Sequence, residues 1–153
     1  MQKKMLMLII IMLSPLFFTA CGNDPQVIQF KNDMDTFCSE ISSIDLAMNN
    51  IDATSENART ELLRHLDNLD NQFKEFSNLD FPKEFDYLEP LADEASNYMT
   101  EAVAYYHKTY ADEGIYNEIY EEYATENYSR AWKRIQIIIS FLHGEEPEDV
   151  TLE

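Results

Sequence analysis

Val27, Phe30, Met34, Phe37, Ile41, Ile44, Met48 and Ile51 recur at intervals of 3-4-3-4-3-4-3. No spacing constrains this chain more. It puts eight apolar side chains on one stripe of an α-helix and leaves the opposite face polar. Asp52-Ala53-Thr54-Ser55 interrupts the pattern and offers N-capping side chains. A second stripe follows at Leu62, Leu66, Leu69, Phe73 and Phe76. Asn78-Leu79-Asp80-Phe81-Pro82 closes it and opens a third, through Phe85, Leu88, Ala92, Ala95, Met99, Ala102, Tyr106 and Thr109. Pro90 lies inside that third pattern. It lacks a backbone donor, so the third helix is expected to kink or break near Tyr87. After Ala111-Asp112-Glu113-Gly114 the fourth stripe runs through Tyr116, Ile119, Tyr123, Asn127, Ala131, Ile135, Ile138 and Leu142, with Gly144 suited to a C-terminal cap. No period-two alternation marks a strand. The expected fold is all-α: an up-down-up-down four-helix bundle over residues 26–144, its third helix kinked near Pro90, followed by an acidic tail at 145–153.

The first twenty residues follow a different logic. Lys3 and Lys4 precede the apolar run Met5–Leu13, which Ser14 and Pro15 interrupt, and small residues follow. A spanning helix needs about 20 apolar residues, so this order of charge, apolar run and small residues reads as an export signal. Phe18-Thr19-Ala20-Cys21 resembles the lipobox of bacterial lipoproteins, with the apolar Phe18 where leucine is usual. The resemblance covers the signal alone. It implies cleavage after Ala20 and lipidation of Cys21, with residues 21–25 as a short tether. The chain would then sit on the extracytoplasmic side of a cell membrane, held by lipid. Each buried methylene of such an anchor contributes roughly 0.8 kcal/mol. The rest of the chain loosely resembles small helical lipoproteins of bacteria, and that resemblance carries no activity.

Charge restricts the partners. The signal holds two of the eleven Lys and Arg and none of the 29 Asp and Glu, so residues 21–153 carry nine cations against 29 acids, a net charge of −20. Nucleic acid is excluded as a partner, since it demands a basic footprint. With Cys21 assigned to lipid, Cys38 has no partner within the chain. It is left free, buried beside Phe37, or available to a second chain. The domain itself is expected to be a monomer.

The chemistry of an enzyme is not found. The three histidines, His65, His107 and His143, lack the Glu-x-x-His spacing of a di-iron bundle. Glu61 and His65 share a face, but a zinc site needs three or four convergent ligands. There is no nucleophile elbow and no glycine-rich phosphate loop. No catalytic residue, metal or cofactor is therefore assigned. Two surfaces remain. All nine tyrosines fall between residues 87 and 128, and Tyr105, Tyr110, Tyr116 and Tyr120 crowd around the turn farthest from the lipid, where they would form an interaction surface. Arg130, Lys133 and Arg134, around Trp132, form a basic cluster. It would be either a solvated ladder with Glu122 and Glu126, or a patch for anionic headgroups or an acidic partner. These readings point to a lipid-anchored, non-enzymatic binding module with a protein or peptide partner. The alternative is a small-ligand or metal-binding helical lipoprotein with a pocket between helices.

Overall fold

The computed structural model describes residues 24–110 and 117–145. Residues 1–23, with the expected export signal and Cys21, residues 111–116, with the expected break at Ala111–Gly114 and Tyr116, and residues 146–153 lie outside the described residues. Four helices account for nearly everything described: α1 (Pro25–Asn49), α2 (Ala58–Ser77), α3 (Glu89–Thr109) and α4 (Glu118–Leu142).

Their ends follow from local chemistry. The Asp24 carboxylate accepts the Gln26 N–H at 2.9 Å, and Pro25 occupies the first turn, where its missing donor costs nothing. Asn117 Oδ1 caps α4 by accepting from Ile119 N and Tyr120 N at 3.1 and 3.2 Å. At the other end of α4, Gly144 takes φ +73°. Its N–H donates to the Phe141 carbonyl and the Glu145 N–H to the Ser140 carbonyl, the paired bonds of a Schellman cap.

The break expected near Tyr87 is present as a change of helix type. Asp86–Leu88 forms a 3-10 turn, and α3 proper begins at Glu89 with Pro90 in its first turn. A proline ring clashes with the carbonyl four residues back, so an α-helix cannot run unbroken from Pro82 through Pro90. The third helix is thus shorter than the apolar spacing implied, and Pro90 starts it rather than bending it.

The core forms where the stripes meet. Val27, Phe30, Met34, Phe37 and Ile41 of α1 are buried, as are Leu66, Leu69, Phe73 and Phe76 of α2. Phe37 stacks on Phe76 at 4.5 Å, and Phe73 meets the edge of Trp132 on α4 at 5.5 Å. Each of these large side chains contributes roughly 1.5–3 kcal/mol through burial. Phe30 packs on Phe81 at 4.7 Å and on Phe85 at 5.7 Å, while Tyr87 meets Phe141 at 5.8 Å. The start of α1, the α2–α3 connection and the end of α4 therefore share one end of the bundle. At 1.5 Å per residue, the 25 residues of α1 carry the opposite end about 37 Å away.

The fourth stripe needs a correction. Ile119 is 63% exposed and Tyr123 48%, although the apolar spacing places both on the core line. The buried line instead runs through Ala124, Asn127, Ala131, Ile135, Ile138 and Leu142. Ala124 and Ala131, with Ala92, Ala95 and Ala102 on α3, are fully buried, and α3 and α4 are the most closely packed pair of helices. Small side chains let the two backbones approach. Tyr123 in place of Ala124 would hold them apart, so α4 turns its tyrosine outward. Asn127 is buried without strain because its side-chain amide donates to the Tyr123 carbonyl at 3.0 Å.

Candidate interaction surface along the third and fourth helices

Because α3 and α4 run antiparallel in close contact, the residues bordering their joint form a ladder with constant register. Glu94 on α3 faces Arg134 on α4, with Arg134 Nε donating to Glu94 Oε2 at 3.0 Å. One turn along, the Tyr98 ring lies beneath the guanidinium of Arg134 at 4.7 Å and that of Arg130 at 5.7 Å. Two turns further, Tyr105 meets Tyr123 at 5.4 Å and Tyr120 at 6.1 Å. Lys108 Nζ closes the row, 4.6 Å from the Tyr105 centroid and 6.0 Å from that of Tyr120. The steps of four, seven and three residues up α3 equal those down α4. One seam therefore carries all these contacts.

The two ends of the seam differ in character. At the Arg134 end, the charges are satisfied within the protein. Arg134 is 4% exposed, bonded to Glu94 and also donating from Nη1 to the Arg130 carbonyl at 3.4 Å. Arg130 pairs with Glu126 at 2.6 Å across one helical turn, which is one rung of the ladder expected there. Lys133 is exposed. The three residues therefore do not present one patch: Arg134 is committed to the α3–α4 joint, and Arg130 lies over Tyr98. A shallow basin of about 410 Å³, lined by Glu94, Asn97, Tyr98 and Arg134, opens beside them.

At the other end, aromatic surface faces out. Tyr120 is 37% exposed, and Tyr123 and Ile119 lie beside it on the outer side of α4. Of the four tyrosines expected to act at the tip, Tyr105 and Tyr120 join this cluster. Tyr110 does not: it is half-buried on the inner side. Burial pushes its hydroxyl pKa upward, helped by Glu121 and Tyr106, and Arg59 of α2 reaches its carbonyl. Tyr106 behaves alike, its pKa raised chiefly by burial. Tyr116 lies outside the described residues. Sequence reasoning passed over Tyr123, which it placed in the core, and Tyr98, whose role depends on cations 32 and 36 residues away in the chain.

Titratable groups elsewhere are dispersed. His65 Nε2 lies 2.9 Å from Arg64 Nη2, and its pKa is lowered by burial and by that cation. His107 bridges to Asp67 at 2.7 Å and ties α3 to α2. Cys38 forms no disulfide among the described residues, and burial, then Asp35, push its thiol pKa to about 11. Among the described residues, no three His, Cys, Asp or Glu side chains converge as metal ligands would, and no helix is long and apolar enough to cross a membrane. Comparison of the chain with protein-family models, curated proteins and solved structures gives no match.

Proposed function

We propose that this chain is a lipid-anchored extracytoplasmic protein that acts as a non-enzymatic binding module, engaging a protein or peptide through the outer end of the α3–α4 seam. One observation carries the reading. Tyr105, Tyr120 and Tyr123 form a cluster with large apolar area turned to solvent, on two closely packed helices, at the end of the bundle farthest from the start of α1. Tyrosine supplies rigid, amphipathic contact area and is enriched where binding energy concentrates. The placement suits an anchor at Cys21, which would hold the start of α1 near the headgroups and present the cluster outward.

The reading of a small-ligand binder rests on the basin beside Arg134, and it is the weaker one. That basin is wide open, and its guanidinium is already bonded to Glu94. The alanines of α3, which suggested a pocket, are consumed in close packing against α4.

Two measurements test the proposal. Labelling cells with a fatty-acid analogue should mark the wild-type chain and not Cys21→Ala; an unmarked wild type removes the anchor. Substituting Tyr120 and Tyr123 by Ala should weaken partner capture by about 1–2 kcal/mol each with a smaller effect on stability. Capture lost instead on replacing Arg130 and Lys133 would move the site to the other end of the seam.

A further inference from the structure

The seam also indicates the chemistry of what docks on it. Its tyrosines already meet cations within the chain: Arg134 and Arg130 over Tyr98, and Lys108 over Tyr105. Lys108 also lies over Tyr120, at 6.0 Å, whereas among the described residues no cation lies over Tyr123, which is 48% exposed. The surroundings are anionic. From Glu118 to Ser129, α4 holds four glutamates and no Lys or Arg, and Glu101 stands exposed on the α3 border between Tyr98 and Tyr105. Glu126 is paired with Arg130 and Glu121 lies by Tyr106 and Tyr110, which leaves Glu101, Glu118 and Glu122 exposed on the two helices that carry the rings. An aromatic face on such an acidic surface attracts a cation by its quadrupole and by charge together. The same carboxylates oppose a second copy of this chain, which would bring equal charges to the joint, and they oppose an anionic membrane surface.

We propose that the outer end of the seam binds an arginine- or lysine-rich segment of a partner protein, whose cations stack on Tyr120 and Tyr123 while Glu101 and Glu122 neutralise the rest of its charge. This rests on the proposed function above and adds the partner's chemical class. Arginine fits better than lysine, because its planar, weakly hydrated guanidinium stacks on a ring as Arg134 does on Tyr98.

The test uses the full-length chain in detergent and fluorescent peptides alternating glycine with arginine, lysine, glutamate or serine. The arginine peptide should bind most tightly, the lysine peptide less so, and the glutamate and serine peptides not measurably. Joint replacement Tyr120→Leu and Tyr123→Leu keeps apolar area but removes the rings; it should weaken arginine-peptide binding about tenfold, whereas Tyr→Phe at both sites should change it little. Equal binding by wild type and the leucine variant would reduce the effect to general charge attraction and overturn the inference. Preference for the glutamate peptide, or self-association through Tyr123, would also overturn it. A photo-cross-linker at position 123 in intact cells separates the two claims. Capture there of a partner with no basic segment refutes this inference and leaves the binding seam standing. No capture there removes both.

Discussion

The Glu94–Arg134 pair should respond asymmetrically to loss of either partner. Arg134 is 4% exposed and Glu94 50%. Removing the carboxylate with Glu94→Ala strands a buried guanidinium. It keeps a 3.4 Å contact to the Arg130 carbonyl and the Tyr98 face. Breaking a fully buried pair costs about 3–5 kcal/mol. Glu94 is half in water, so solvent can partly take its place, and the expected loss is about 1–3 kcal/mol. Arg134→Met retains the packed stem, removes the charge and returns Glu94 to water, at a cost of under about 1 kcal/mol. In urea, with a slope of about 2 kcal/mol per M, Glu94→Ala should lower the midpoint by about 1 M and Arg134→Met by less than half of that. Adding Glu94→Ala to Arg134→Met should then cost almost nothing, since the stranded charge is gone. Equal losses in the two single variants, or a larger loss for Arg134→Met, would refute this account of the joint.

Other consequences are simpler to read. Leu69→Asp and Ile135→Asp each place a carboxylate at a fully buried position, and either should cost several kcal/mol and collapse the helical circular dichroism signal at moderate temperature; a variant melting like wild type would refute the core assignment. Cys38 should react slowly with iodoacetamide at pH 8, because burial raises its pKa to about 11, and fast labelling of the folded chain would contradict that burial. Cys38 and Tyr128, the latter raised to about 12 chiefly by burial, ionise more readily in the unfolded chain, so stability should hold below about pH 9 and fall as pH rises through 9–12. A midpoint in urea that stays constant across that window would contradict the sign.

Much of the fold was legible in the sequence because helices announce themselves locally. The 3-4 spacing of α1 and α2 identifies the faces that are buried, and Gly144 marks the end of α4. The start of α4 was misread for a physical reason. Tyrosine is amphipathic and suits a core edge or a surface equally, whereas the deciding residue was Ala124, whose smallness matters only once α3 lies against it. Pro90 was read as an interruption, yet proline in a first turn is favourable, so the helix began there instead. The seam itself could not be seen. Arg134 reads as a surface cation by its four-residue spacing from Arg130, and its carboxylate partner lies 40 residues earlier. Pairings of that kind depend on the antiparallel register of two helices, which no single helix encodes.

The outer end of the α3–α4 seam is the working surface proposed for this chain. A photo-activatable amino acid placed at position 123 or at position 46 of the full-length protein in intact cells tests this. Leu46 on α1 is 63% exposed and, unlike Tyr123, is not part of the seam. A discrete cross-linked species is expected from position 123 and none from position 46. A species from position 46 with none from position 123 would contradict it.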